Sequence, residues 1–174
     1  AGTSFTPSAG TRMRTADLWW ALRAAHGNFT VSRQAGVNNL YCIRSQRTNA
    51  TSDTDVIRLC VGFETLDVAW MATSLPSSMV VAFNARAGAN YSAASGNLVV
   101  TVVRGTGTDQ NQLDGYTGSS TLATLTQALT TTMTRYSFSA VVSLTATQVG
   151  VLLNYTPNAT TAQTAENVIV NGLQ

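Results

Sequence analysis

The stretch "MVVAFNAR", Met79–Arg86, places Met79, Val81, Phe83 and Ala85 at every second position. Successive side chains of a β-strand point to opposite faces of its sheet, so a period of two puts these four residues on one face. The stretch therefore predicts a strand with one face buried in a core and the other face in contact with water.

The same alternation recurs later in the chain, in "RYSFSAVV" (135–142) and "QVGVLLNY" (148–155). The stretch "NLVVTVV" (97–103) is apolar on both faces and predicts a more central strand. The threonine-rich segment from Leu122 favours a strand over a helix, and Phe63–Leu75 is the one place where a helical turn is expected. Further strands are predicted from Asp17, Phe29, Leu40, Val56 and Glu166.

The spacing of these segments indicates the fold class. About nine or ten short strands are separated by turn clusters such as "AAHGN" and "TPNATT", at intervals of roughly ten residues. This pattern is typical of an all-β, antiparallel β-sandwich of the jelly-roll type. No internal repeat or linker interrupts it, so residues 1–174 are predicted to form a single domain with its long loops at the two ends of the sandwich.

The composition excludes several classes of partner. Charged residues make up only 10% of the 174 residues, and every basic residue is an arginine. A net charge of +2 without a clustered basic stripe argues against nucleic-acid binding. No stretch approaches the roughly 18 consecutive apolar residues of a membrane span, so membrane insertion is not expected. The chain opens on Ala1 rather than on Met, so localisation signals are expected to be missing from it rather than absent from the protein.

Cys42 and Cys60 are the two cysteines, too few for a disulfide scaffold. If their segments form a hairpin about Thr51, the two residues lie directly opposite each other at cross-strand distance. Two interpretations stay open: a disulfide in an oxidising compartment, or two half-buried thiols, which the burial statistics of cysteine favour.

No residue pattern points to catalysis, a metal or a cofactor. The stretch "GTGTDQN", Gly105–Asn111, resembles a phosphate loop but lacks the Gly-Lys-Ser/Thr ending, and the chain contains no lysine. The only histidine, His26, lies in a predicted turn, and no pair among the eight acidic residues is singled out by spacing. Asp17 and Asp109 could supply oxygen ligands, but no calcium-loop pattern surrounds them. We therefore expect no catalytic residues, no metal site, no cofactor and no enzymatic activity.

Carbohydrate recognition needs no catalytic residue, only an exposed aromatic ring and planar polar side chains. Tyr91, Tyr116 and Trp70 are the aromatic residues outside clear core positions, and the two tyrosines flank the polar loops. The alternative is that a loop tyrosine holds its own loop in place or packs against a neighbouring subunit, and this alternative is the favoured one. Trp19 and Trp20 are adjacent, so one is predicted to face the core and the other the outer face or a partner. The candidate ligand-binding residues are Asn90, Tyr91, Asp109, Gln110, Asn111 and Tyr116.

Several motifs carry a resemblance to a known family. They are "GTSFTPSAGTR" (2–12), "TADLWW" (15–20), "FTVSRQAG" (29–36), "ARAGANYSAAS" (85–95), "GTGTDQN" (105–111), "VGVLLNYTP" (149–157) and "ENVIVNGLQ" (166–174). Over nearly the whole chain these motifs resemble a jelly-roll domain that is widespread in the tail fibres and other virion surface proteins of tailed bacteriophages and prophages.

The resemblance implies a carbohydrate-binding-module-like fold, assembly as a homotrimer and no enzymatic activity. The sequence departs from the family at Leu18–Trp20, where an Arg-Trp-Phe-like step is usual, and at "LPSSM", which replaces a Gly-Lys turn. An asparagine-rich first strand is also missing, so we expect the chain to be part of a longer virion protein.

These observations lead to one hypothesis, one main alternative and a less favoured third class, a bacterial polysaccharide-binding module attached to an enzyme. The hypothesis is a non-catalytic domain of a phage fibre or spike on the virion surface, which contacts other virion proteins and engages host-surface polysaccharide through loops that lie together at one end of the sandwich. The alternative is a capsid decoration or cement protein that stabilises the head and binds nothing on the host. Neither requires nucleic acid or a membrane.

Overall fold

The alternating segments form β-strands in the computed structural model, which describes residues 4–8, 10–15, 19–23, 29–35, 41–48, 56–63, 65–69, 76–91, 97–158 and 165–174. Within these residues twelve strands make two six-stranded sheets, in which every pairing is antiparallel. The protein is thus an all-β sandwich, and the predicted fold class is confirmed.

Sheet A has the strand order β1-β4-β5-β12-β7-β10, and sheet B has the order β2-β3-β6-β11-β8-β9. The strands are β1 (Ser4–Phe5), β2 (Arg12–Arg14), β3 (Trp19–Arg23), β4 (Phe29–Ala35), β5 (Tyr41–Arg47), β6 (Ile57–Phe63), β7 (Ser77–Ala87), β8 (Asn97–Gly105), β9 (Ser120–Ala128), β10 (Thr134–Val142), β11 (Gln148–Tyr155) and β12 (Asn167–Asn171). The short helix α1 (Thr65–Ala69) lies in the one segment where a helical turn was expected. A 3₁₀ turn at Gln112–Asp114 interrupts the long β8–β9 connection.

The sheets bury one face each, as the period of two predicts. Val81 and Phe83 of β7 are 1% exposed, and Val100 and Val102 of β8 are fully buried from the other sheet. The residues that alternate with these positions, such as Asn84 of β7 and Thr101 of β8, lie on the outer faces of the sheets. Burial of a Val or Phe side chain stabilises the fold by roughly 1.5–3 kcal/mol, so this layer supplies the main driving force for folding.

One end of the core contains a buried ion pair. Arg47 at the end of β5 and Glu166 just before β12 are both 1% exposed, and the Arg47 Nη1 atom lies 3.0 Å from Glu166 Oε1 and 3.2 Å from Oε2. The Tyr155 hydroxyl of β11 donates to the same carboxylate at 2.5 Å. Since Arg47 belongs to sheet A and Tyr155 to sheet B, the carboxylate of Glu166 links the two sheets.

We predict that Glu166→Gln destabilises the protein by about 3–5 kcal/mol, because it leaves the Arg47 charge buried without its carboxylate. Tyr155→Phe removes one hydrogen bond to the charged carboxylate and should cost less, about 1.5–3 kcal/mol. Urea denaturation of both variants, and of Arg47→Met/Glu166→Leu, measures the difference. The double variant should be more stable than Glu166→Gln. A Glu166→Gln variant as stable as Tyr155→Phe would contradict this account.

The hairpin predicted about Thr51 is wrong, because β5 and β6 lie in different sheets. Cys42 of β5 pairs with Gln34 and Asn171 in sheet A, and Cys60 of β6 pairs with Trp20 and Leu152 in sheet B. Neither cysteine forms a disulfide, and both are buried.

Each cysteine follows or precedes core residues of its own strand, so the two side chains point to the outer faces of opposite sheets. A disulfide requires Cα atoms within about 7 Å, whereas packed sheets alone are about 10 Å apart. The structure therefore agrees with the interpretation of two buried thiols and contradicts the disulfide.

Burial raises the pKa of the Cys60 thiol from 9.0 to about 12. A thiol whose folded-state pKa is raised contributes stability that is complete below about pH 9 and is lost as the pH rises toward 12. We therefore predict that the free energy of unfolding falls by about 2 kcal/mol more in the parent protein than in Cys60→Ala between about pH 8 and about pH 10.5. Urea denaturation at the two pH values gives this difference. Equal losses in both proteins would show that Cys60 does not titrate in this way, since tyrosine ionisation is common to both.

Candidate functional site

A track of glycines on the outer face of sheet B receives the side chain of Tyr116. Gly150 of β11 lies directly opposite Gly62 of β6, and Gly105 ends β8 next to them. A Cβ atom at Gly105 would lie 2.5 Å from the Tyr116 Cβ, and one at Gly150 would lie 2.9 Å from the Tyr116 hydroxyl. Only glycine leaves space for this ring, which is 6% exposed. Tyr116 therefore holds the 106–119 segment against the sheet.

Hydrogen bonds within the segment fix its shape. The Gln110 side chain donates from Nε2 to Thr117 Oγ1 at 2.9 Å, and its Oε1 accepts from the Thr117 N–H at 2.8 Å. Asn111 caps the 3₁₀ turn, because its Oδ1 accepts from the Leu113 N–H at 2.9 Å. The backbone at Asp109 has a positive φ of 47°, which Asp tolerates better than most residues. The 106–119 segment is thus ordered, and it is here called the wall because it stands on the outer face of sheet B.

Further bonds join this wall to the scaffold. Asp109 Oδ1 accepts from the Thr65 N–H at 3.3 Å, and Thr65 Oγ1 accepts from the Asp109 N–H at 3.2 Å. Gln148 at the start of β11 donates from Nε2 to the Gln110 carbonyl at 3.3 Å. Asp109 and Gln110, which the sequence proposes as ligand-binding residues, therefore also have a structural role.

Between this wall and strands β2, β3 and β6 lies a groove of about 300 Å³, here called the sheet B groove. A volume of this size lies at the small end of the usual range for ligand pockets. Its lining combines one tryptophan, two arginines and several amide side chains: Arg12, Arg14, Trp20, Cys60, Gly62, Phe63, Asp109, Gln110, Asn111, Gln112 and Gln148.

Trp20 provides the aromatic surface of the groove. Its neighbour Trp19 packs against the core, so the prediction that the two rings face opposite ways is confirmed. The Arg12 guanidinium lies 5.7 Å from the centroid of the Trp20 ring, within cation–π distance, and it is ion-paired with Asp114 of the wall. The ion pair ties the edge strand β2 to the wall across the groove.

Two glutamines that line the groove have amide oxygens with no hydrogen-bond partner among the described residues. Gln112 is 9% exposed and Gln148 is 1% exposed, and among the described residues the Oε1 atom of each is buried with no donor in reach. The bond from Gln148 Nε2 to Gln110 fixes which end of the Gln148 amide is the oxygen. An unpaired buried acceptor costs about 1–3 kcal/mol, so both oxygens favour a bound donor such as a hydroxyl group or a water molecule.

The structure brings three of the six predicted site residues to this groove. Asp109, Gln110 and Asn111 line it, while Tyr116 lies beneath the wall and does not offer an exposed ring. Burial raises the pKa of the Tyr116 hydroxyl, to which the Cys60 thiol adds. Tyr116 therefore holds its own loop in place, as the favoured alternative predicted.

Asn90 and Tyr91 lie elsewhere, and the prediction that the two polar loops share one end of the sandwich is wrong. β8 begins after the first loop and ends at the second, and its nine residues span roughly 26 Å. Tyr91 stacks on Tyr155 with ring centroids 4.9 Å apart and packs against the far end of the core. Burial also raises the pKa of the Tyr91 hydroxyl. Tyr91 closes that end of the core instead of forming a platform.

Arg12, Arg14, Gln112 and Gln148 of the groove were not among the predicted site residues, although Gln110 was. The Trp19–Trp20 pair was the one available signal, since one ring had to face outward. Arg12 and Arg14 lie on a three-residue strand too short to show alternation. Gln112 and Gln148 become neighbours of the groove only through the fold-back of the 106–119 segment, which no spacing rule indicates.

Other chemistry finds little support in the described parts of the chain. There, no three His, Cys, Asp or Glu side chains are grouped closely enough for a metal ion. No helix in those parts is long and apolar enough to cross a membrane. His26, Asp17 and Trp70 lie outside the described residues. The absence of enzymatic activity stays a prediction.

Comparison with known proteins places the chain by fold. No family model matches the chain, and no curated protein matches its sequence. Among solved structures, the enzymatically active domain of tailspike protein 4 from bacteriophage CBA120 matches with a TM-score of 0.50 and 10% identity, over 100% of this chain and 19% of that one. The chain thus spans about a fifth of that tailspike domain.

Two further similar structures have TM-scores just below that value. A CBM4 structure matches at 0.49 with 11% identity, over 83% of this chain and 72% of that one. The K1 cleaved adhesin domain of Lys-gingipain from Porphyromonas gingivalis W83 matches at 0.49 with 14% identity, over 98% and 96%. At these identities the likeness to the three structures concerns the fold alone.

We predict that Gly150→Ala loosens the wall, because its Cβ would lie 2.7 Å from Gln112 Cγ and 2.9 Å from the Tyr116 hydroxyl. Overpacking of this kind costs about 1–3 kcal/mol, and amide exchange in residues 106–119 should become faster. Gly62→Ala on the facing strand is the matched control, since its nearest contact would be an ordinary 3.4 Å. Hydrogen exchange followed by mass spectrometry compares the two. Unchanged protection in Gly150→Ala would show that the glycine track does not seat the wall.

Proposed function

We propose that this protein is a non-catalytic, glycan-binding domain of a bacteriophage virion surface protein, of the fibre or spike type, and that the sheet B groove holds the sugar. The observation that carries the proposal is the pair of buried, unpartnered amide oxygens of Gln112 and Gln148 in the same groove as the Trp20 ring. A ligand with hydroxyl groups and an apolar face satisfies both features.

The chemistry of the groove suits a sugar ring. The C–H groups on one face of a pyranose carry partial positive charge and pack against the negative face of an aromatic ring, a role for Trp20. Its hydroxyls donate to the two glutamine oxygens and accept from arginine N–H groups. Arg12 is held beside the ring by Asp114, so part of the site is ordered before a ligand binds.

Three observations support the virion part of the proposal. The motifs resemble a domain of phage tail fibres and other virion surface proteins. The fold is shared with a segment of a bacteriophage tailspike domain. The surface is rich in threonine and poor in charge, which suits a particle exposed to the medium. On this proposal the domain lies on the virion surface, contacts other virion proteins and assembles as a homotrimer.

One observation favours the alternative, a decoration or cement protein that contacts only other virion proteins. Val80 and Val141 on the outer face of sheet A are 60% and 59% exposed, and Leu144 beyond β10 is 48% exposed. Exposed apolar residues grouped at one edge are typical of protein–protein contact. The alternative expects that loss of the domain lowers particle stability and leaves adsorption to the host unchanged.

A glycan array with the Trp20→Ala and Trp20→Phe variants tests the proposal. Trp20→Ala should lose at least about tenfold in affinity for the glycan that the parent binds, because it removes the stacking surface. Trp20→Phe keeps a ring and should retain more binding, while Val141→Ala on the other sheet serves as a control and should bind like the parent. Absence of binding by a correctly folded parent, or equal binding by Trp20→Ala, would contradict the assignment.

A further inference from the structure

The outer face of sheet A carries three arginines: Arg44 of β5, Arg86 of β7 and Arg135 of β10. Their neighbours along each strand, including Ile43 and Ala85, belong to the core, so the arginines point away from it. In the register of the sheet, Ile169 of β12 lies directly opposite Arg44 on one side and Arg86 on the other. Two strand spacings put these two arginine backbones about 10 Å apart.

Within the described parts of the chain, neither Arg44 nor Arg86 has an ion-pair or hydrogen-bond partner, and the Nε atom of Arg44 is buried without one. The carboxylates whose positions are described lie elsewhere. Asp109 and Asp114 belong to the wall on sheet B, and Glu166 is inside the core with Arg47. Two like charges are therefore held near each other, and none of the described carboxylates neutralises them.

The positive charges of Arg44 and Arg86 both act on the thiol of Cys42. Burial raises the pKa of the Cys42 thiol, and Arg86 and then Arg44 act in the opposite direction. Cys42 lies directly opposite Asn171 in the next row of the sheet. Asn171 is 4% exposed, faces outward from β12, and its Oδ1 atom is buried with no partner among the described residues. Guanidinium donors and an unsatisfied acceptor thus meet on one face.

We propose that this face is a second binding site, distinct from the sheet B groove, and that it takes the carboxylate or sulfate of an acidic polysaccharide between Arg44 and Arg86. An oxyanion there accepts charge-assisted hydrogen bonds from both guanidinium groups and removes their mutual repulsion. The Asn171 oxygen then accepts from a hydroxyl of the same saccharide, which an isolated inorganic anion cannot supply. Two or three arginines are too few for a nucleic-acid backbone, whose binding is built on many phosphate contacts.

Polygalacturonate, dextran and inorganic sulfate are suitable probes, measured by isothermal titration calorimetry. Polygalacturonate should bind, weaken with added salt, and bind more tightly than sulfate, and neutral dextran should not bind to this face. Arg86→Gln should lower the affinity for polygalacturonate about tenfold. Arg104→Gln is the matched control, because it removes one charge from sheet B, where Arg104 donates to Thr145. It should change the affinity less than about twofold.

A second readout separates a specific site from general attraction between charges. In a Cys60→Ala background, Cys42 is the only thiol, and its titration is followed by the ultraviolet absorbance of the thiolate. Bound polygalacturonate should raise the pKa of Cys42, because it neutralises the two arginines that oppose the effect of burial. Trp20→Ala changes only the sheet B groove and should leave the shift of the Cys42 pKa unchanged, so failure of the groove and failure of this site are distinguishable. Equal losses in Arg86→Gln and Arg104→Gln, or an unmoved Cys42 titration at saturation, would overturn the proposal.

Discussion

Burial of one face of each long strand against a second sheet is the constraint from which the rest of this structure follows. Because the inner faces of β7, β8 and β11 are occupied by aliphatic and aromatic residues, most polar side chains of the described residues lie on the two outer faces and in the loops. The buried pair of Arg47 and Glu166 is the charged exception among the described residues, and it is tolerated because the Tyr155 hydroxyl also donates to the carboxylate. Substitutions on either outer face therefore leave the packing of the core unchanged.

The outer face of sheet B is covered in part by the 106–119 segment of the chain. Where most strands carry outward side chains, Gly62, Gly105 and Gly150 carry none, and the 106–119 segment settles into the space. The groove is the gap that remains between this segment and the edge strands. Its residues come from five separate parts of the chain, which explains why its composition resembles a binding site while no short motif encodes it.

The sequence was informative wherever a local pattern determines the structure. Period-two alternation identified β7, β10 and β11, and the adjacent tryptophans of β3 had to point in opposite directions. Predictions from the sequence were wrong where the structure depends on which strands are neighbours. The separation of β5 from β6 moved Cys42 and Cys60 apart, and the length of β8 put Tyr91 and Tyr116 at opposite ends. Both tyrosines were candidate ligand-binding residues because they flank polar loops, although packing was the favoured alternative. Tyr116 packs on the glycines of sheet B and Tyr91 packs on Tyr155, and composition alone does not reveal either surface.

The position of β12 has a consequence for synthesis of the protein. This strand lies between β5 and β7, so sheet A consists of two unconnected halves until residues 167–171 have left the ribosome. Sheet B, by contrast, needs nothing after β11. Sheet B can therefore form before sheet A is complete. Sheet A is completed when β12 inserts between β5 and β7, which also brings Glu166 to Arg47. A nascent chain stalled before this strand would expose the unpaired edges of β5 and β7 to chaperones.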